Sequence, residues 1–435
     1  MLKRKFTAAL TEWKRTKKTE CLLVEGARQV GKSFIIREFG KTNYDNFIEI
    51  NLLKQKKFRA TFESDGDNSF TAIFSRLTLL DPAIRFIPNK TLLFIDEIQE
   101  CGSARTALKF IAEEATIDCI ASGSMLGITH KTIASIPVGY ERKIEMFSLD
   151  FEEFLWAKGY DSKQIDLLKE YFIKKEKVPF EVNEVMLVTL REYMVVGGMP
   201  EVVNKFIETK NFGLVFAEQE KILKSYHDDI AKYAPSSDRP KAISCYLSIP
   251  RQLSKEYTKF QYSIIEKGGT GRKFDSSLEW LRDAGLVKFC FNVNNPVFPL
   301  ASYEKSDQFK IYLSDIGLLN AMYGFEMKAA VLSNTLTGPA KGGLYENLIA
   351  DILFKKKRSL YYYKNDSNSQ EIEFLIHDGA AAVPIEVKSG NGATVSLDTF
   401  LERFKPSYGL KLVSGNIGIT ESGKVTLPLY MAMFL

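Results

Sequence analysis

Short apolar runs and helical stripes alternate along the first 125 residues. Phe6, Leu10 and Trp13 recur at helical spacing in a basic segment, predicting an amphipathic helix over 1–18 that covers a first core. Cys21-Leu22-Leu23-Val24, Phe47-Ile48-Glu49-Ile50-Asn51-Leu52, Leu92-Leu93-Phe94-Ile95 and the run 117–121 read as strands. Their apolarity is nearly unbroken, as burial on both faces of a parallel sheet requires. Helical patterns over 34–39 and 70–80 fall between them, which predicts an α/β unit whose ligand lies beyond the strands' carboxyl ends.

From 130 to about 235 the pattern is helical. Phe151, Phe154, Leu155 and Trp156 form an aromatic cluster that reads as core. Val196-Gly197-Gly198-Met199-Pro200 ends a helix that begins near Val182 and starts another. A helix over 276–284, capped by Ser276 or Ser277 and stopped by Gly285, then leads into a strand at 286–289. That order suggests a winged-helix-like module. Such modules read DNA or act as spacers, and the spacer reading is favoured although Lys267, Arg272 and Lys273 precede the helix. Tyr345, Leu348, Ile349, Ile352 and Leu353 form a last helical stripe flanked by Glu346, and strand-like runs follow at 360–363, 371–376 and 383–388.

The 435 residues suffice for several domains, and 45% hydrophobic with 26% charged residues is a globular composition. A net charge of +5 is compatible with a nucleic-acid partner without arguing for one. The five cysteines are scattered and never spaced C-x-x-C, and there are only three histidines, which speaks against a disulfide framework or a zinc site. No apolar run is long enough for a membrane span, and no apolar core follows Lys3, Arg4 and Lys5 as in a signal peptide. A cytoplasmic protein is expected.

Chemistry enters at Gly26-Ala27-Arg28-Gln29-Val30-Gly31-Lys32-Ser33, a full G-x-x-x-x-G-K-[ST] loop between a strand and a helix. Its glycines let backbone N–H groups turn inward, Lys32 would reach the β- and γ-phosphates, and Ser33 would join a magnesium shell. Asp96 and Glu97 end the third strand in the form of a Walker B motif. Asp96 would complete the magnesium site and Glu97 would polarise water. Ser122, at the end of the next strand, could sense the γ-phosphate, or could simply belong to a Ser-Gly turn. Arg142 is a candidate arginine finger, with a surface charge as the alternative; an oligomer is compatible with either.

A second constellation lies near the C-terminus. If a hairpin through Asp378-Gly379 has an even-numbered loop, Glu373 shares a face with Glu386 and Lys388. With Glu346 from the helix, these would suit one or two magnesium ions acting on a phosphodiester, Lys388 stabilising the developing charge. An E-x-K strand is equally common in plain surface β-structure.

These stretches, together with Pro137-Val138-Gly139-Tyr140, Leu149-Asp150-Phe151-Glu152-Glu153-Phe154, Phe309-Lys310-Ile311-Tyr312-Leu313-Ser314-Asp315-Ile316-Gly317-Leu318-Leu319, Tyr345-Glu346-Asn347 and Ile385-Glu386-Val387-Lys388-Ser389, give the chain its resemblance. It resembles, nearly end to end, the prokaryotic AAA-type ATPases in which an AAA_14 domain precedes a DUF4143 domain. The resemblance implies an ATPase core over 1–160 and a helical lid over 161–235. A winged-helix-like module over 236–300 and a domain similar to PD-(D/E)xK nucleases over 301–435 would follow. ATP and Mg²⁺ are the implied cofactors, and DNA or another nucleic acid is a possible partner. Where the family usually carries E-I-D-F, this chain has Glu371-Ile372-Glu373-Phe374. The extra methylene moves the carboxylate by about 1 Å, and a shift of that size costs about a hundredfold at a catalytic group.

Overall fold

A computed structural model describes residues 2–63, 69–125, 138–255, 259–365, 370–388, 395–420 and 423–435. Pro137 and Ser389 of the stretches above lie outside the described residues. The chain forms two compact units, one built from Arg4–Ser148 with Asp283–Gly285, the other mainly from Leu149–Arg282 and Leu286–Leu435.

The first unit holds a five-stranded parallel sheet: β1 Cys21–Gly26, β2 Asn46–Asn51, β3 Thr91–Asp96, β4 Asp118–Ser124 and β5 Glu141–Glu145, in the order β2-β3-β4-β1-β5. The unbroken run in β3 has its reason in two cores. Leu93 and Ile95 enter one with Cys21, Leu23 and Ala121; Leu92 and Phe94 enter the other with Val24, Ile36 and Phe39. The helix Phe6–Thr16 adds Phe6, Leu10 and Trp13 to this second core, so its stripe is packing surface.

In the second unit an eight-stranded mixed sheet has the order β12-β13-β11-β10-β9-β8-β6-β7. Its strands are β6 Val287–Val293, β7 Glu304–Leu313, β8 Tyr361–Lys364, β9 Glu371–Asp378, β10 Ala381–Lys388, β11 Gly409–Val413, β12 Gly418–Ile419 and β13 Lys424–Pro428. The strand read as part of a winged-helix-like module, β6, pairs antiparallel with β7 and parallel with β8, so it belongs to this large sheet. The helix expected over 276–284 is Gly271–Asp283. Phe274 extends the buried stripe of Leu278 and Leu281 by a turn, and Ser277, in the helix body, donates to Asp238 O at 3.3 Å instead of capping.

The helical part is locked by backbone contacts. Gly197, at φ 78°, ends the helix Phe180–Val196. A Cβ on Gly198 would lie 2.0 Å from Leu149 O, and Leu149 N donates to Gly198 O at 2.7 Å. Asp315 accepts from Gly198 N at 2.9 Å and from Gly317 N and Leu318 N at 3.0 and 3.1 Å. Asp150 and Glu153 form a capping box on Phe151–Ala157, whose Phe151 and Phe154 pack on Tyr193. Among the described residues, no helix is long and apolar enough to cross a membrane.

Candidate functional site

The loop between β1 and the helix Lys32–Asn43 is shaped by residues that tolerate unusual backbone. Gly31 has φ 95° and Gln29 has φ 64°. A Cβ on Gly26 would meet Met146 O at 2.2 Å, so only glycine passes β5 there. Val30 sends its side chain into the core, leaving its backbone to the loop. Lys32 Nζ donates to Gly26 O at 2.9 Å and to Ala27 O at 2.8 Å. Desolvation brings its ammonium down to about 8, against the opposing pull of Glu97 and Asp96.

Buried Asp96 is the hub. Ser33 Oγ lies 3.0 Å from both its carboxylate oxygens, Asn51 Nδ2 donates to it at 2.9 Å, and the Ser122 hydroxyl donates to Oδ1. Ser122 is thereby directed at the carboxylate from the neighbouring strand. Glu97 follows with φ 56°, a left-handed conformation costly for a non-glycine residue, and accepts from Gln99 Nε2. Arg142, on β5, pairs with Glu20 and donates to Thr16 at 3.0 Å, an engagement within its own unit.

In the second unit the connection between β9 and β10 is the two-residue Gly379-Ala380, with Asp378 opposite Ala381 and Phe374 opposite Ile385. The next pair in that register is Glu373 with Glu386. Lys388 Nζ lies 3.0 Å from Glu386 and 3.5 Å from Glu373. Glu346, from the helix Pro339–Lys355, accepts from Lys310 at 3.2 Å and from Tyr312 at 3.0 Å. Lys310 also holds Glu371 at 2.6 Å, and Lys364 holds Glu371 at 2.8 Å. Burial pushes the Glu373 carboxyl up to about 7, with Lys388 opposing, and raises Glu386 as well. Burial would raise Glu371 too, but Lys310 and Lys364 outweigh it and bring the group down to about 2. The three-carboxylate metal set expected from Glu346, Glu373 and Glu386 is met instead as a carboxylate–lysine network. Among the described residues, no group of three or more histidine, cysteine or carboxylate side chains is placed to hold a metal.

Residues 18–155 match the family model described as AAA domain, AAA_14. The chain carries an AAA-type ATPase domain. Downstream of the AAA domain, residues 187–329 match a domain of unknown function, DUF8612, and residues 341–430 match another, DUF4143. The chain is 25% identical over 369 residues to the uncharacterized protein MJ1544 of Methanocaldococcus jannaschii, covering 81% of this chain and 71% of that one. Among solved structures, the Walker-type ATPase PABY2304 of Pyrococcus abyssi is 14% identical, with 74% of this chain and 96% of that chain covered and a TM-score of 0.44. The Aeropyrum pernix ORC1 protein, solved with DNA, is 13% identical, with 77% and 93% covered and a TM-score of 0.30.

In the first unit, sequence reasoning missed Arg4 and Asn51. Arg4 donates to Val30 O at 3.1 Å and to Phe147 O at 2.7 Å, tying the loop backbone to the chain beyond β5. Asn51 sits at the end of β2, paired with Asp96 across β3; an asparagine at a strand's carboxyl end was its available signal. In the second unit, Lys310 and Tyr312 lie within a family stretch but were not read as site residues, because their side chains reach Glu346 from β7, 36 and 34 residues away. The hydroxyl of Ser33, the carboxylate of Asp96 and a lysine whose hydrogen bonds, among the described residues, go to loop carbonyls fit a nucleotide with magnesium.

Proposed function

We propose that the chain is a magnesium-dependent ATP hydrolase whose nucleotide state governs its C-terminal domain, a nuclease-like fold used for binding. The observation that carries the first half is the Ser33–Asp96 pair, hydroxyl and carboxylate 3.0 Å apart beside Lys32. Ser33 and Asp96 would hold the magnesium, which supplies charge neutralisation at the phosphates. Lys32 exchanges its carbonyl partners for phosphate oxygens, backbone N–H groups of residues 27–33 cradle the phosphates, and Glu97 orients the attacking water. Hydrolysis by the full chain, compared with Lys32→Ala and Glu97→Gln, tests this. Equal turnover in all three sinks the proposal.

The binding reading of the C-terminal domain is supported by Lys388, whose ammonium lies between Glu373 and Glu386. The donor set is already compensated, so a divalent ion would have to displace a lysine. The second reading, an ATP-gated nuclease acting on DNA, is favoured by the same-face placement of Glu373, Glu386 and Lys388. Incubation with plasmid, ATP and magnesium or manganese separates them. Cleavage abolished by Lys388→Ala selects the nuclease, whereas ATP-dependent binding of plasmid without cleavage selects the switch.

A further inference from the structure

A cavity of about 530 Å³ opens between the helix Gly271–Asp283 and the β6–β7 pair, wholly within the second unit. That size is ordinary for a site taking a side chain or a small ligand. Its floor is aromatic. Phe289 and Phe291 stand on one face of β6, and Phe309 joins them from β7, its ring 4.9 Å from Phe289 and 6.1 Å from Phe291. Its walls are acidic: Asp275 and Glu279 come from the helix, Glu304 and Asp307 from β7, against one lining cation among the described residues, Arg282. The helix residues that line it, Asp275, Leu278, Glu279 and Arg282, share one helical face by their spacing.

The chain itself demonstrates what this surface accepts. The Arg282 guanidinium sits over the Phe289 ring, 5.3 Å from its centroid, and its charge pulls the Glu304 carboxyl down against the larger, upward effect of burial. A planar cation between phenyl faces and carboxylates gains both from the ring quadrupole and from charge-assisted hydrogen bonds. Half-buried Phe291 with Asp275, Glu279 and Asp307 lines the same cavity and offers the same two chemistries, while Phe309, 6% exposed and stacked on Phe260 and Phe289, supports the floor. We propose that this cavity binds an arginine side chain on a basic segment of a partner protein. The charge of the wall decides against nucleic acid on this face. A helix that met a phosphate backbone here would present Asp275 and Glu279 to it, at a cost in like-charge repulsion.

The test uses the full chain and a fluorescein-labelled Gly-Arg-Gly-Arg-Gly peptide, followed by anisotropy. The controls are the same peptide with citrulline for arginine, unlabelled spermidine, and a short DNA duplex. The Asp275→Asn/Asp307→Asn variant keeps volume and, at Asp275, an acceptor for the Tyr262 hydroxyl. Salt-sensitive binding of the arginine peptide is expected, weakened by about tenfold or more both by citrulline and by the double variant. Phe291→Leu should weaken it as well, with hydrogen exchange of β6 and β7 unchanged as the measure of intact folding. Equal affinity for the citrulline peptide, an unaffected double variant, or displacement of the peptide by duplex DNA would overturn the assignment. Displacement by spermidine at equal affinity would overturn the choice of a protein segment.

Discussion

Replacing Lys310 by methionine probes the C-terminal network most directly. Its ammonium is fully buried and neutralises two carboxylates, Glu371 at 2.6 Å and Glu346 at 3.2 Å, while Glu371 keeps Lys364 at 2.8 Å. Removing one partner of a buried ion pair costs about 3–5 kcal/mol, because the remaining charge is left without compensation. The magnitude has a second origin. Glu371, held at about 2 against an ordinary 4.5, contributes about 3 kcal/mol that is fully present above pH 4.5 and lost as pH falls through 2. In Lys310→Met the Glu371 carboxyl loses the cation that lowers it most and its folded-state value rises, so the variant's deficit grows as pH rises from about 2 through that new value and shrinks as pH falls toward 2. Hydrogen exchange in urea, read on peptides covering β7 and β9, measures the local stability of this sheet. The expected result is a deficit of about 3–5 kcal/mol at neutral pH that is much smaller at about pH 3, and mostly recovered by Lys310→Met/Glu371→Gln. A deficit under about 1 kcal/mol, or one equal at both pH values, refutes the reasoning.

Gly198→Ala forces a methyl against Leu149 O and should cost about 3 kcal/mol or more in thermal or urea unfolding of the second unit. Glu373, with its carboxyl near 7, retains a proton in the folded state that the unfolded chain releases, so stability falls as pH rises from 4.5 to about 7. Glu373→Gln should remove that slope in a pH series of urea unfolding curves. Arg4→Ala releases the loop backbone at Val30 and should raise the KM for ATP by about five- to twentyfold, with a smaller effect on kcat, in a steady-state ATPase assay.

How much of this was legible in the sequence depended on the range of the interaction. The phosphate loop is local: eight consecutive residues specify its turn, its lysine and its hydroxyl, and β1 and the following helix are fixed by their own patterns. The β9–β10 register was equally local, since a two-residue loop decides which residues share a face. Arg4 and Asn51 escaped because each reaches its partner across the fold, 26 and 45 residues away, from an unremarkable local context. Lys310 escaped for a stronger reason. In β7 it reads as one charged residue in an alternating strand, and nothing local says that the network will bury its ammonium completely. The pairing of β6 with β8 likewise joins segments about 70 residues apart, which no local pattern encodes.

The lysines of the two sites differ in a way that bears on function. Lys32 faces two neutral carbonyls, and desolvation lowers its ammonium to about 8, so an arriving phosphate relieves an unfavourable burial and displaces only weak partners. Lys310 and Lys388 already face carboxylates; burial works against their ammonium groups, and the carboxylates more than restore them. A phosphate approaching either must compete with a resident anion and adds like-charge repulsion from Glu346, Glu373 or Glu386. The proposed nucleotide site therefore offers an incoming anion a lysine held by neutral carbonyls, and the C-terminal network is balanced to remain as it is. Under the proposed coupling, a change at the C-terminal domain would displace one of its lysines, which makes ammonium position, at Lys388 first, the variable for a nucleotide cycle to act on.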